Sequence, residues 1–198
     1  MRKTWGEIRK DVMNLGFEPA TGTDKDKETF IRAYNWAQSL IASTIGGVFD
    51  KIGIGCSANH HHVFDLAHLA AGKDQEFIAL AQSGVQDTKN NKIDGWSFTD
   101  NRFLTLPQGF SGHRVVNVLV MPAPFNASTP DTAPCPLPEK WRNILPYLMA
   151  NRLYLEDDAT KASYYWNLYT DMRNEILAQE NLPQVSVTGG FDIDRWCV

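Results

Sequence analysis

LPEKWRNILPYLMANRLYLEDDATKASYYWNLYTDMRNEILAQENL, residues 137–182, is the stretch on which the fold turns. In its first half Trp141, Ile144, Leu145, Leu148, Met149 and Leu153 recur at helical spacing, which lays one apolar stripe along a helix. Arg142, Asn143 and Arg152 fall outside that stripe. Pro138 suits a first helical turn, whereas Pro146 lacks an N–H and predicts a bend or a later start. Asp157 and Asp158 can cap a second helix, and their charge suits the positive end of its dipole. Beyond them Ala159, Ala162, Trp166, Tyr169, Met172 and Ile176 repeat every three or four residues and are predicted to face the first helix. So short a link around Glu156 to Asp158 makes the two helices antiparallel neighbours, and Asn181 and Pro183 end the second. The aromatics Tyr164, Tyr165, Trp166 and Tyr169 read as core and helix-packing surface, not as a cofactor box.

Working outward, Thr4 and Glu7 fit a capping box, followed by Trp5, Ile8, Val12 and Leu15 on one face of a short helix that Gly16 stops. Thr23 and Asp26 repeat the capping logic. Phe30, Ile31, Ala33, Trp36, Ala37, Leu40 and Ile41 then mark a longer helix that ends at Gly46 and Gly47. Residues 48–92 are ambiguous: VFDKIGIG suits a short strand, VFDLAHLAA a strand or a helix, and the apolar residues of 75–82 a helical turn or two.

From Asp94 the pattern alternates: GWSFT, RFLTLP and HRVVNVLVMP read as three strands joined by two tight turns at Asp100-Asn101 and around Gly109 and Gly112. Val116, Val118 and Val120 oppose Val115, Asn117 and Leu119, so the last strand is predicted to be covered on both faces. Six prolines between Pro122 and Pro138 make an extended crossing back to the helices.

The expected fold is therefore α+β, mainly α: a helical bundle from N- and C-terminal helix pairs, a small inserted antiparallel β module, and an extended C-terminal tail. Its parts are residues 1–47, the N-terminal helices; 48–125, the inserted module; 126–182, the crossing and helical hairpin; and 183–198, the tail. In that tail Phe191, Ile193 and Trp196 alternate with charged residues and can present one apolar face to a partner.

A net charge of -4 argues against a free-standing nucleic-acid binder, whose affinity comes from a basic surface, but not against a channel through which DNA passes. No apolar run reaches the roughly 18 residues of a membrane span, and the polar N-terminus lacks a signal-peptide core, so synthesis in a reducing cytoplasm is expected. Cys56, Cys135 and Cys197 form neither a disulfide framework nor a zinc ribbon. Cys56 with His60, His61 and His62 offers zinc-ligand chemistry without a second ligand pair; a metal-dependent hydrolase built there is one alternative, though no metal or cofactor is expected. Asp65 and His68 could lie close together. Phosphate loops, nucleophile elbows and zincin motifs do not occur in the sequence, so no catalytic residues are expected. A second alternative is a sugar-binding module that uses Trp96 and Phe110 as stacking platforms.

Three stretches resemble the head-to-tail connector, or adaptor, proteins of tailed bacteriophages: the capped N-terminal helix leading to ETFIRAYNWAQSLIAS, the module WSFTDNRFLTLPQGFSGHRVVNVLVMPAPF, and the closing hairpin with its acidic turn Glu156-Asp157-Asp158 and aromatic segment from Tyr165 to Glu175. Residues 48–91 have no counterpart in that pattern. The resemblance implies a non-enzymatic structural protein of the virion neck. Such a protein forms a ring of about twelve subunits closed by rotational symmetry below the portal protein. The ring encloses a DNA channel and carries a platform for further neck or tail proteins. Phe191, Ile193 and Trp196 are then the candidate portal-docking residues, with no membrane involved.

Overall fold

The computed structural model describes residues 3–17 and 24–180. Its elements are α1 (Trp5–Asn14), α2 (Asp24–Thr44), β1 (Val48–Cys56), β2 (His62–Asp65), α3 (Leu66–Ala71), β3 (Glu76–Asp87), β4 (Ser97–Thr99), β5 (Phe103–Leu106), β6 (Gly112–Met121), α4 (Glu139–Tyr154) and α5 (Ala159–Glu180).

The capping box forms as read. Thr4 Oγ1 accepts from Glu7 N–H, and Glu7 Oε2 accepts from Thr4 N–H at 2.7 Å, so α1 starts at Trp5 and buries Trp5, Ile8 and Val12. Helix α4 is the axis of the helical layer, and α1, α2 and α5 each pack on it. All six stripe residues of α4 are buried, but so are Arg142, Pro146, Ala150 and Tyr154, and the helix runs through Pro146 without interruption. Such burial on nearly every side is what a central helix requires, so the boundary drawn beside the stripe at Arg142 does not hold.

On α5 Ala162, Tyr169 and Ile176 are buried as expected and Met172 packs against the core, while Tyr165 and Leu177 join them. Trp166 is 42% exposed and Ala159 is exposed, so Tyr165 takes the inward place expected of Trp166.

The expectation of a mainly α fold, a helical bundle carrying a small β module, is overturned. The described residues are 43% helix and 27% strand, and they form two three-stranded antiparallel sheets beside five helices. One sheet has the order β1-β6-β3 and the other β2-β5-β4. The ambiguous residues after Val48 supply most of the difference, because β1, β2 and β3 all come from them.

Strand β6 is the centre of the first sheet, with Val48 opposite Val120 on β1 and Glu76 opposite Met121 on β3. It does not pair with β5. The segment from Pro107, with Gly109 and Gly112 at positive φ, carries the chain across to the other sheet, so the expected three-strand meander is split between two layers. Only the β4–β5 turn is a tight hairpin, with Asp100 and Asn101 both left-handed at φ 53° and 49°.

The β unit has a core of its own. Ile52, Ile54, Val85, Val116, Val118 and Val120 from one sheet meet Leu104 and Leu106 from the other, with Leu66 and Ala70 of α3 among them. Strand β3 bulges, because residues 81–84 stand opposite Asn117 alone. Asn117, 1% exposed, donates Nδ2 to the Gly84 carbonyl at 3.1 Å and closes the bulge. Gly84 has φ +55°, and a Cβ there would stand 2.8 Å from Trp96.

The proline-rich crossing runs back along α2. Ala123 O accepts from Gln38, Phe125 is held by Asn35, and Ala127 O accepts from Lys27. It then pairs with the N-terminus, where Trp5 N–H donates to Ala133 O, Gly6 N–H to Asp131 O, and Cys135 N–H to Lys3 O. The helical core therefore includes Cys135 and Leu137 from this crossing beside Trp5, Tyr34 and Trp141.

Candidate functional site

The Cys56 and His60 to His62 cluster is the turn between β1 and β2. His62 Nε2 accepts from Ser57 N–H at 2.8 Å, which engages one of its two possible metal-binding nitrogens, and its ring stacks on Phe64. His60 and His61 are exposed, and partial burial raises the Cys56 thiol above its ordinary range. Among the described residues no three of His, Cys, Asp and Glu converge as a metal would require.

Asp65 and His68 do meet, but as a helix cap. Asp65 Oδ1 accepts from His68 N–H at 3.1 Å and from Arg102 Nε at 2.7 Å, while Arg102 Nη2 reaches Oδ2. The Arg102 hydrogen bonds hold the Asp65 carboxyl down at about 2. That carboxylate stays ionised and occupied, which suits a structural clamp better than proton transfer.

Trp96 and Phe110 are packing residues. Trp96 donates Nε1–H to Ile93 O at 2.7 Å and lies under Gly84, and both rings are partly buried against the β core.

The surface carries more information than any cleft. Besides Met13 on α1, large apolar side chains are exposed on the α4–α5 hairpin, at Leu155 (51% exposed), Tyr164 (59%) and Trp166 (42%), and on the β unit, at Phe49, Val63 and Ile78. In the hairpin the exposed aromatics are fixed by what lies behind them. Tyr165 donates its hydroxyl to Leu15 O, stacks on Tyr154 and touches the Tyr164 ring, while Trp166 lies against the buried Tyr169, so each exposed ring is backed by a buried one. Burial raises the Tyr165 and Tyr169 phenols, which keeps both neutral hydrogen-bonding groups. Beside them Glu156 and Asp157 are exposed, while Asp158 accepts from the N–H groups of Thr160 and Lys161 and caps α5.

Sequence reading found the aromatic cluster but assigned Trp166 to the core. The signal that separates Tyr165 from its neighbours is the spacing of Ala162, Tyr165 and Tyr169, with Ile176 two turns further on. Phe191, Ile193 and Trp196 lie outside the described residues. No helix among the described residues is long and apolar enough to cross a membrane.

A scan against protein-family models gives no match to this chain, and a search of curated proteins gives none either.

Proposed function

We propose that this chain is a structural subunit of a tailed-phage neck: a head-to-tail adaptor that forms a ring below the portal, leaves a channel for DNA and offers a platform to further neck or tail proteins. The proposal includes synthesis in the host cytoplasm, residence in the virion, no catalytic role, and portal docking through Phe191, Ile193 and Trp196.

The observation that carries it is the exposure of large apolar side chains around a helix whose inner face is engaged: Tyr164 on one side of α5 and Trp166 on the other, with Leu155 just past the end of α4. Exposed aromatic side chains are of the kind that dominate protein interfaces. A second apolar area on the β unit, at Phe49 and Ile78, gives the subunit two separate contact surfaces. Two unlike surfaces on one subunit are what a heterologous, ring-closing contact needs. The sequence resemblance, described above on its own motifs, names the kind of ring.

Mass photometry and negative-stain microscopy of the full chain, alone and mixed with a tailed-phage portal protein, test the reading. Ring-sized particles, or ring-dependent attachment to portals, are expected. A chain that stays monomeric at all concentrations and ignores the portal overturns it.

A further inference from the structure

Helix α4 begins its first turn after Pro138, which supplies no side-chain cap. In that turn Arg142 is only 8% exposed, its Nε has no hydrogen-bond partner, and no carboxylate of the described residues pairs with it. A guanidinium cannot shed its proton, so a buried one without a counter-charge is costly unless something supplies that charge.

Arg142 lines a surface hollow of about 200 Å³ together with Lys3, Glu139 and Asn143. The hollow continues into a second one of about 300 Å³ through Lys3 and Asn143. Lys3 Nζ is 2.6 Å from Asp11 Oδ2, so that cation is already balanced, whereas Arg142 is not. Glu139 and Asp11 border the space and oppose a dianion, which leaves room for a single negative charge on a flat, two-oxygen group that a guanidinium can grip side-on.

We infer that this hollow, formed by Lys3, Arg142 and Asn143, is a carboxylate-binding site, filled in the assembled ring by Glu156 or Asp157 of a second copy. The second half of this inference rests on the ring reading above. Its basis is charge complementarity along one helix: the unpaired cation lies at the start of α4, and the exposed acidic turn follows its end, about 24 Å away for a helix of 16 residues. A contact that joins the end of one copy to the start of the next is head-to-tail, and repeated with rotation it closes a ring. Leu155 borders the same turn and would bury its apolar surface in that contact.

Two measurements on the full chain separate the site from its donor. Acetate titrated at constant ionic strength against chloride is expected to give a saturable shift of the Arg142 Nε–H and Asn143 side-chain signals in ¹⁵N spectra, together with a rise in melting temperature. R142M, which keeps the side-chain volume, is expected to remove both effects, and K3M to weaken them. No saturable shift, or the same shift in R142M, overturns the site. Tighter binding of inorganic phosphate than of acetate overturns the carboxylate assignment. In mass photometry, E156Q/D157Q and R142M are each expected to raise the concentration needed for rings by about tenfold, and the combined variant by no more than either alone, because both remove one contact. Rings unaffected by both variants overturn the donor and leave the adaptor reading standing. A wild-type chain that forms no rings overturns that reading and the donor together, while the acetate titration still decides the site.

Discussion

Asn35 holds Phe125 by both of its backbone groups: Nδ2 donates to the Phe125 carbonyl at 2.8 Å, and Oδ1 accepts from the Phe125 N–H at 2.8 Å. The pair fixes the proline-rich crossing on α2 and sets the Phe125 ring flat on Tyr34, with centroids 4.4 Å apart and planes 9° apart. Prolines stiffen the crossing but cannot donate hydrogen bonds, so its first part is held by side chains of α2, while its later part pairs with the N-terminal backbone. Asn35→Ala leaves a part-buried donor and acceptor unmet and is expected to cost about 2–4 kcal/mol. Asn35→Asp keeps the acceptor and loses the donor, and should fall between. Urea unfolding followed by tryptophan fluorescence checks the order. Equal stability of all three proteins would mean that the crossing is held elsewhere.

Leu148 sits in the middle of α4 with no exposed surface. Truncation to alanine leaves a cavity where α4 meets its neighbours and is expected to cost about 2–5 kcal/mol. A change near zero in the denaturant midpoint would contradict the central position of this helix.

These two cases show what was legible in the sequence. Leu148 was, because an apolar stripe repeating over four turns has one physical reading, and the Thr4–Glu7 capping box was, because it is local. The length of the β unit was not. Phe77, Leu80 and Ala81 are spaced as on a helix, and the bulge that sets residues 81–84 against Asn117 alone breaks the alternation that marks a strand. Its cause lies on another strand, in the Asn117 amide and its bond to Gly84. Arg142 was likewise hidden: a cation beside a stripe reads as solvent-facing until the crossing and the N-terminus close over it. The unpaired state of that buried cation has no trace in the sequence at all.

The bulge also separates two glycines. At Gly84 the positive φ and the 2.8 Å approach to Trp96 leave no room for a side chain, so Gly84→Ala is expected to cost about 1–3 kcal/mol. At Gly53, on the outer side of β1, a Cβ meets nothing within 4 Å, and Gly53→Ala is expected to change stability by about 0.5 kcal/mol or less. Thermal melts of the two variants, run together, check the contrast. Equal losses would mean that the bulge is absent.

Asp65 gives the molecule an acid-side signature. The Arg102 fork holds its carboxyl at about 2, below the ordinary aspartate value. A group depressed in the folded state contributes stability that is present above its unfolded pKa and is lost as pH falls through the folded one. The contribution of this clamp is therefore expected to be complete above about pH 4 and to fade towards pH 2. In Arg102→Met the Asp65 carboxyl should titrate nearer the ordinary range while still capping α3 through His68 N–H. Carboxyl ¹³C titration of both proteins reads this directly, and an Asp65 value unchanged by the substitution would show that Arg102 is not its cause.

Tyr164 and Tyr165 are neighbours in sequence with opposite fates. Tyr165 is 9% exposed, stacks on Tyr154 and donates its hydroxyl to Leu15 O, which ties α5 to the end of α1. Tyr164 is 59% exposed, and Trp166 on the other side is 42% exposed. Tyr165→Ala removes a buried ring and a hydrogen bond and is expected to cost about 3–5 kcal/mol. Tyr164→Ala and Trp166→Ala are each expected to stay within about 0.5 kcal/mol of the parent, because solvent already reaches both rings. Assembly should rank the variants in the opposite way. If α5 is the contact face of a ring subunit, removing Trp166 takes away an aromatic anchor of the kind that carries about 2 kcal/mol or more per contact, and the ring repeats that loss at every interface. The folded monomer would then persist while ring-sized particles disappear. Chemical denaturation and mass photometry on the same preparations separate the two effects. A Trp166→Ala protein that is destabilised as strongly as Tyr165→Ala would return Trp166 to the core, whereas one that is stable and still forms rings would move the contact surface off α5, leaving Phe49 and Ile78 of the β unit as the surface to test next.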